Sequence, residues 1–269
     1  MSSQVELARR LTALHTPTRP LALANAWDVL SARLVEAAGA PAVATTSAGV
    51  AWSLGAPDGD SLARDRALDL VARVAGAVSV PVTADIEGGF GATAAEVGET
   101  VAAVLDAGAV GINIEDGTRA PGDLAERVAA ARAAADAAGI PLYINARIDT
   151  YLFGLGEAGG RLDETLARAA AYLRAGASGI FVPGVTDAAT VAELAKGIDA
   201  PLNVLAGPGA PSVAEFGALG AARVSLGSWV ASAAYDVVRR TAEELVSGGT
   251  YTDLPEGLPY GTANALLQG

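Results

Sequence analysis

Charged side chains follow three apolar segments of the sequence, each at the point where the apolar run ends. Asp85 and Glu87 lie at the end of VPVTADIEGG, Glu115 and Asp116 follow AVGINI, and Arg147 lies in PLYINARIDT. Both faces of a buried parallel strand contact hydrocarbon, and an unpaired buried carboxylate is costly, so packing alone does not explain charges at these positions. Three such strand ends in succession predict one shared site.

A hard divalent cation would stabilise several carboxylates gathered at one site. Two carboxylates about 5 Å apart repel by about 3 kcal/mol at an effective dielectric of about 20. Oxygen ligands favour Mg²⁺ or Mn²⁺ over zinc, and the sequence contains one histidine and no cysteine. Each carboxylate could instead pair with an arginine or cap the following helix, and for Asp116 we expect such a structural role.

Composition narrows the class of protein. The chain has 269 residues, 51% of them apolar and 18% charged, and its formal net charge is -12. We expect one globular domain over residues 1–269, with 250–269 as a C-terminal tail, and no nucleic-acid partner, because negative charge repels a phosphate backbone. The lack of cysteine fits a reducing cytoplasm, and the N-terminus MSSQVELARR has no apolar signal core. The uncharged segment 37–57 is interrupted by glycine and proline, so we expect no membrane span.

A short β-branched run, a loop and an alanine-rich helix ending in glycine recur roughly every 25 residues, which is typical of a parallel sheet with intervening helices. Strands are predicted at 21–25, 42–46, 80–84, 111–114, 142–146, 179–182, 202–205 and 223–226. Helix ends are predicted at glycines that can adopt positive φ, namely Gly39, Gly108, Gly139, Gly176 and Gly220. Helix starts are predicted at Thr93, Asp163 and Ser212.

These repeating units predict a (β/α)8 barrel. A doubly wound open sheet is the alternative, but the chain lacks an opening Gly-x-Gly-x-x-Gly turn followed by an acidic residue. In (β/α)8 barrels the loops after the strands carry the chemistry, so the charged strand ends should converge. Lys196 lies in a predicted helix and His15 precedes the first strand, which excludes a Schiff-base lysine inside the barrel and a histidine-rich hydrolase site. The remaining groups suit a bound Mg²⁺ that polarises a 2-keto acid and stabilises the enolate formed when a bond to C3 breaks.

Several segments in barrel order resemble the isocitrate lyase and phosphoenolpyruvate mutase superfamily. They are NAWD, TTSAGVAWSLGAPDG, ADIEGGFG, NIEDG, NARIDTYL, GIFVPG and PLNVLAGPGAP, and the resemblance extends from Leu21 to Arg239. It implies a (β/α)8 barrel and a Mg²⁺-dependent enzyme acting on an oxaloacetate-like or phosphonopyruvate-like acid. It also implies a homo-oligomer, a dimer or tetramer, with the eighth helix exchanged between subunits.

The resemblance assigns the carboxylates to a metal site. Asp85 resembles the residue that binds the metal directly, and it would also contact the substrate. Asp58 in GAPDG, Glu87 and Glu115 resemble carboxylates that hold the metal's water ligands. Asp58, Glu115 and Arg147 are the implied catalytic residues.

The resemblance also assigns the substrate contacts. Thr46, Ser47 and Ala48 lie in the segment whose backbone amides and hydroxyl hold the substrate carboxylate in relatives, although turn or helix-cap chemistry is the alternative role. Arg147 resembles an arginine that anchors the substrate through a bidentate contact. Asn203, in the seventh predicted strand, resembles a residue that hydrogen-bonds to the substrate.

Two departures from the superfamily pattern bear on the reaction. The segment 117–123 reads GTRAPGD, where lyases of isocitrate and methylisocitrate carry a Lys-Lys-Cys-Gly-His or Lys-Arg-Cys-Gly-His loop, and the lysine, asparagine and serine of the mutases are also missing. Cleavage that uses such a cysteine is therefore not expected. The usual Asp-x-Asp pair is Asp85 and Glu87 here, one methylene longer.

The sequence thus predicts a cytoplasmic Mg²⁺-dependent lyase that cleaves the C–C bond next to a 2-keto acid carbonyl through an enolate. Oxaloacetate decarboxylation is the leading reaction. A phosphonate enzyme, either a mutase or a phosphonopyruvate hydrolase, is the alternative in the same superfamily, with Thr118 or Arg119 near the phosphonyl group. A non-catalytic 2-keto acid binding protein and a phosphosugar isomerase that uses AGPGAPS and SLGS as a phosphate cradle are the remaining alternatives.

Overall fold

Parallel strands form a nearly closed barrel in the computed structural model, which describes residues 3–268. The strands are β1 Leu21–Leu23, β2 Asn25–Ala26, β3 Val43–Thr45, β4 Val82–Asp85, β5 Gly111–Glu115, β6 Tyr143–Arg147, β7 Gly179–Val182, β8 Leu202–Leu205 and β9 Ala221–Ser225. Neighbouring strands pair in the order β1-β9-β8-β7-β6-β5-β4-β3-β2. This sequential order confirms the predicted (β/α)8 barrel and differs from that of a doubly wound sheet.

The first predicted strand is interrupted at Ala24, which is why residues 3–268 contain nine strand segments where eight were predicted. β1 pairs with β9, and β2 pairs with β3, so one stretch of chain joins both edges of the sheet. The Asn25 side chain spans this junction, because its Nδ2 donates to the Thr45 carbonyl at 2.9 Å and its Oδ1 accepts from the Gly227 N–H at 2.9 Å. The amide of Asn25 thus helps to close the barrel.

Helices surround the strands and bury the largest hydrophobic cluster against them. They are α1 Ser3–Ala13, α2 Val29–Ala37, α3 Ser47–Ser53, α4 Arg64–Ala77, α5 Ala94–Asp106, α6 Pro121–Ala138, α7 Arg161–Arg174, α8 Ala188–Gly197, α9 Val213–Ala218, α10 Trp229–Gly248 and α11 Tyr260–Gln268. The glycines predicted to end helices all have positive φ, and Thr93 and Ser212 cap α5 and α9, as predicted. Asp163 is a wrong prediction, since α7 begins at Arg161, directly after a 3₁₀ turn at Ala158–Gly160.

The N-terminal end of the barrel interior is filled by a second hydrophobic cluster, to which α1 contributes Leu11. His15 stacks on the buried ring of Tyr143 with 3.8 Å between ring centroids. Burial lowers the pKa of His15 to about 3, so its imidazole is neutral and fills a structural position. Gly179 leaves the space that the Tyr143 hydroxyl occupies, and Gly111 leaves the space that Leu11 occupies.

A polar layer crosses the middle of the barrel interior. The Nδ2 of Asn145 donates to the Oδ1 of Asn113 at 2.9 Å and to the Oδ1 of Asn203 at 3.0 Å. The Nη2 of Arg223, which is fully buried, donates to the same Asn113 oxygen at 3.2 Å. Burial lowers the pKa of Arg223 to about 10, which leaves the guanidinium charged at neutral pH. Within residues 3–268, no carboxylate lies within ion-pair distance of Arg223.

The helix after the last strand, α10, is largely exposed. Ala231 is its only fully buried residue among those described, and its exposed apolar side chains are Trp229, Val230, Tyr235, Val238, Leu245 and Val246. A groove of about 1060 Å³ lies outside β1 and β9, between α2 and α9, and is lined by Leu34, Val35, Val213 and Leu226. A barrel's outer ring of helices normally fills this place. No helix in the described part of the chain, α10 included, combines the length and apolar character needed to cross a bilayer.

Asp116 has a structural role, as predicted. It is fully buried and accepts hydrogen bonds from Arg168 Nη1 at 2.8 Å, from the Tyr172 hydroxyl at 2.8 Å and from the Asp149 N–H at 2.9 Å. These contacts join the end of β5 to α7 and to the loop after β6. Asp116 therefore fixes the backbone that carries Asp149.

We expect Asp116→Ala to lower the free energy of unfolding by about 3 kcal/mol, because Arg168 and Tyr172 lose their buried acceptor. Urea unfolding followed by circular dichroism measures this loss. Asp69→Ala is the matched control, since it removes an exposed ion pair with Arg73 and should lower the free energy by about 0.5 kcal/mol at most. Equal losses in the two variants would contradict a special role for the Asp116 network.

Candidate active site

Asp85, Glu115 and Arg147 meet at the C-terminal ends of β4, β5 and β6. The strand register places Asp85 beside Asn113, and it places Glu115 beside Arg147, so the charged residues end adjacent strands. Arg147 Nη1 lies 2.5 Å from Glu115 Oε2, and Arg147 Nε lies 2.7 Å from Asp149 Oδ1. The structure thus brings together three residues that the sequence placed far apart.

Asp85 is held by its neighbours in a fixed position. Its N–H donates to the Thr45 hydroxyl at 2.8 Å, and its carboxylate accepts from the N–H of Glu87 at 3.2 Å and from the N–H of Ser47. Burial raises the pKa of Asp85, the charge of Arg147 opposes this effect, and the charge of Asp58 adds to it. An additional cation near Asp85 would stabilise the ionised carboxylate.

Glu115 is also surrounded by other carboxylates. Burial raises the pKa of Glu115 to about 8, against the opposing charge of Arg147, and Asp85, Asp149 and Asp58 raise it further. Opposing effects also set the pKa of Arg147. Burial lowers this pKa, but the negative charges of Glu115, Asp149 and Asp85 together raise it. The guanidinium is therefore fixed in its charged form between two carboxylates.

Glu87 and Asp58 lie at the edge of this cluster, on two neighbouring loops. The buried Glu87 carboxylate accepts a short hydrogen bond from the Asp60 N–H. Burial raises the pKa of Glu87 to about 7, and the charges of Asp58 and Asp85 contribute to the rise. Asp58 itself is exposed, two residues before Asp60, and its charge acts on Asp85, Glu87 and Glu115.

The segment Thr46 to Ala48 begins α3 next to Asp85. Thr46 is the N-cap residue, but its hydroxyl makes no capping hydrogen bond, so the helix-cap alternative applies only to its backbone. Thr46 and Ala48 are buried, whereas Ser47 is partly exposed and directs its N–H at Asp85. Of the three predicted substrate contacts, Ser47 is the one that the structure joins directly to the carboxylate cluster.

Asn203 belongs to the polar layer beneath the cluster. Its Nδ2 donates to the Val204 carbonyl at 2.8 Å and to the Ser225 hydroxyl at 3.2 Å, while its Oδ1 accepts from Asn145. It is 1% exposed, so a direct substrate contact would require these bonds to rearrange. The predicted substrate role of Asn203 stays a prediction.

Sequence reasoning assigned no specific role to several side chains that shape the site. Asp149 binds Arg147 and was visible in NARIDT, two residues after the arginine. Phe181 on β7 lies 5.9 Å from the Arg147 guanidinium and forms an apolar wall. Thr45 fixes the Asp85 backbone, but a threonine inside an apolar run carries no distinguishing signal. Asp60 was visible only as a second acid after Asp58.

The oxygen donors of this cluster fit a hard divalent cation. Burial raises the pKa of Asp85, Glu87 and Glu115, and the charges of neighbouring carboxylates raise each of them further, so a nearby cation would favour their ionised forms. Within residues 3–268, no three Asp, Glu or His side chains converge closely enough to ligate one metal ion. Glu115 is paired with Arg147, and Glu87 with the Asp60 N–H. The carboxylate oxygens of Asp85, Glu87 and Glu115 are the donors here that could hold such an ion, directly or through water.

Known proteins resemble this chain in sequence over most of its length. A sequence model of the family described as phosphoenolpyruvate phosphomutase matches residues 11–246. An uncharacterized protein of Mycobacterium tuberculosis (strain ATCC 25618 / H37Rv) is 37% identical over 255 residues, which are 94% of each chain. The 2-methylisocitrate lyase of Escherichia coli (strain K12) is 32% identical over 215 residues, 76% of this chain and 68% of that enzyme. An oxaloacetate decarboxylase of Bradyrhizobium sp. (strain BTAi1 / ATCC BAA-1182) is 29% identical over 280 residues, 97% of this chain and 92% of that enzyme.

Solved structures show the same relationship. A putative lyase/mutase from Burkholderia cenocepacia J2315 has a TM-score of 0.90 and 40% identity, with 100% of this chain and 98% of that chain covered. A phosphonopyruvate hydrolase solved with oxalate and Mg²⁺ has a TM-score of 0.82 and 26% identity, with 97% and 94% covered. Because the family match spans most of the barrel and its relatives share both sequence and fold, this chain belongs to the phosphoenolpyruvate phosphomutase family, within the isocitrate lyase and PEP mutase superfamily.

Proposed function

We propose that this protein is a Mg²⁺-dependent enzyme, with Mn²⁺ as the alternative metal, that cleaves the C–C bond between C3 of a 2-keto acid, the carbon next to the carbonyl, and the carbon beyond it. Oxaloacetate decarboxylation is the leading reaction. The observation that carries the proposal is the meeting of Asp85, Glu115 and Arg147 at adjacent strand ends. The similarity to an oxaloacetate decarboxylase over nearly the whole chain, and to a hydrolase solved with oxalate and Mg²⁺, supports it.

The chain's own residues would hold and orient the reactants. When bound, Mg²⁺ supplies Lewis-acid polarisation of the keto acid and stabilises developing negative charge. Asp85 would bind the metal, and Asp58, Glu87 and Glu115 would hold its water ligands. These carboxylates need no large rearrangement, because Asp85 is already fixed by backbone and hydroxyl groups.

Arg147 would anchor the substrate. Its Nε and Nη1 face Asp149 and Glu115, and we assign its remaining N–H groups to a substrate carboxylate. The rigid placement of Arg147 between two carboxylates and the Phe181 ring fixes the direction in which those groups point. The Ser47 end of α3 also lies next to Asp85 and would contact the same substrate.

Decarboxylation makes the smallest demand on the loop after β5, which lacks the acid-base residues of the lyases. The bond between C3 and C4 of oxaloacetate breaks, carbon dioxide leaves, and the electron pair remains as the enolate of pyruvate. A solvent proton then adds to C3, so the protein need not supply a general acid. Arg119, the arginine of that loop, is paired with Asp60 and does not hold the leaving carboxylate in place.

The alternative functions make different demands on the loops around the site. A phosphonate enzyme in which Arg119 contacts the phosphonyl group would have to break the ion pair between Arg119 and Asp60. A phosphosugar isomerase would have to place a phosphate at AGPGAPS, where the Trp229 indole lies against Gly207. A non-catalytic 2-keto acid binding protein would use the same carboxylates, and only turnover separates it from an enzyme.

We expect pyruvate release from oxaloacetate to require Mg²⁺ or Mn²⁺ and to fall by about 10³-fold or more in Asp85→Ala, because several kcal/mol of charge stabilisation are lost. A coupled pyruvate assay measures this, with Asp69→Ala as the exposed acidic control.

Turnover that survives chelation would contradict the proposal, and isomerase activity that survives in Asp85→Ala would favour the isomerase. Tight Mg²⁺-dependent oxalate binding without turnover of any keto acid would favour the binding protein. Phosphonopyruvate as the only substrate turned over would favour the phosphonate enzyme.

We also propose that the protein is a homo-oligomer in which α10 of one subunit fills the groove between α2 and α9 of a second copy. The exposed stripe of Tyr235, Val238, Ala242 and Leu245 has the spacing of one helical face. The groove of about 1060 Å³ lies where the last helix of the same barrel would otherwise pack. Helix and groove both present apolar side chains that one copy leaves uncovered.

Val238→Asp should convert the protein to monomers, because a carboxylate would be buried in the groove of the partner. Size-exclusion chromatography with light scattering gives the mass of each species. Arg240→Ala, on the opposite face of α10, is the matched control and should keep the mass of the wild-type assembly. A monomeric wild-type protein would contradict the proposal.

A further inference from the structure

One ion pair joins three consecutive loops at the mouth of the barrel. Arg119, in the loop after β5, lies 2.5 Å from Asp60 in the loop that follows α3. The other carboxylate oxygen of Asp60 accepts from the N–H of Gly88, in the turn after β4, at 3.2 Å. The Asp60 N–H donates to the Glu87 carboxylate of the same turn. Asp60 is thus bound through both its backbone and its side chain.

We call the contacts among Asp60, Arg119 and the Glu87–Gly88 turn the loop joint. The turn after β4, to which Asp60 and Arg119 bind, is itself held by hydrogen bonds. Arg127 is 4% exposed, and its Nη1 donates to the carbonyls of Gly88 at 2.9 Å and Gly91 at 2.8 Å. The Arg119 guanidinium lies directly on the other side of Gly88, since a Cβ at that position would come within 2.5 Å of both terminal nitrogens. Asp123 links the two arginines, at 3.8 Å from Arg119 Nε and 3.2 Å from Arg127 Nε.

The backbone conformation shows that the joint is specific. Asp60 and Glu87 are directly hydrogen-bonded, and they have φ values of 55° and 52°, a left-handed conformation that is uncommon outside glycine. Such residues keep this conformation only where surrounding contacts hold them. An isolated surface ion pair contributes little, but here the pair is combined with two backbone hydrogen bonds and close packing on Gly88.

The longer side chain of Glu87 explains its place in the joint. Its carboxylate reaches across to the neighbouring loop and accepts from the Asp60 N–H. Only Gly59 separates Asp60 from Asp58, so an anchored Asp60 restricts Asp58 to within about 7 Å of the joint. The position of Asp58 therefore depends on contacts made by the loop after β5.

We infer that Asp60 and Arg119 are a positioning pair, which locks the loop after β5 onto the turn at Glu87 and Gly88 and so sets the position of Asp58 beside Asp85. Neither residue touches the substrate. The consequence for metal binding rests on the proposed function, whereas the coupling between the loops is a property of the metal-free protein.

Hydrogen–deuterium exchange of the full-length, metal-free protein tests the coupling. Arg119→Ala removes the ion pair, and Gly88→Ala keeps both charges but displaces the guanidinium. Both variants should speed amide exchange in residues 58–62 by about tenfold. Arg73→Ala, which removes an exposed ion pair on α4, is the control and should leave that segment unchanged. Unchanged exchange in both Arg119→Ala and Gly88→Ala would overturn the inference.

Calorimetric titration with Mg²⁺ and oxalate tests the positioning role. We expect Arg119→Ala and Asp60→Asn each to weaken binding by about tenfold, and the double variant to weaken it no more than either alone, as residues in one network do. Faster exchange with unchanged Mg²⁺ and oxalate affinity would overturn the positioning role and leave only a structural pair. A wild-type protein that binds neither probe would contradict the proposed function, and the exchange experiment would still decide whether the loops are coupled.

Discussion

Excess negative charge at the mouth of the barrel is the constraint on which the rest of the site depends. Asp85, Glu115 and Asp149 gather around Arg147, and burial raises the pKa of each of these carboxyl groups. A single guanidinium offsets only part of that charge. Backbone dipoles stabilise the carboxylates further, since the N–H of Ser47 and other backbone N–H groups point at them. What remains unbalanced is the charge that a divalent metal would neutralise.

The polar layer beneath the site belongs to the same electrostatic arrangement. Asn113 and Asn145 precede Glu115 and Arg147 by two residues on the same strands, so they form the floor of the site. Arg223 adds a buried positive charge to this floor, and it acts on Asp85 through the barrel interior. If only apolar side chains filled the barrel, the layer beneath the carboxylates would offer them no hydrogen-bonding groups or dipoles. The asparagines and the arginine instead give them a polar one.

Sequence reasoning predicted the barrel well because its signals are local. Apolar runs set the strands, and glycines such as Gly108 and Gly176 end helices with the positive φ that the pattern requires. The strand break at Ala24 could not be predicted from local sequence, because Asn25 stabilises it through a hydrogen bond with Gly227, 202 residues away. The start of α7 was misplaced because a 3₁₀ turn, which has no strong sequence signal, leads directly into the helix.

The same distinction applies to the site. Asp85, Glu115 and Arg147 were predictable because each follows an apolar run, and parallel strands bring such ends together. The joint between Asp60 and Arg119 was not predictable, because it depends on how loops of different lengths meet. Arg223 was hidden for another reason, since it lies within a strand and its neighbours give no sign that its side chain points inward.

The close fit between side chains and glycines at the base of the barrel limits how related sequences can diverge. The Tyr143 hydroxyl fills the volume that any side chain at Gly179 would need, and Leu11 of α1 does the same at Gly111. A larger residue at either glycine is therefore tolerated only when its counterpart shrinks at the same time. In an alignment of homologues, these positions should change as two linked pairs, and the first helix should be retained wherever the glycine on β5 is retained.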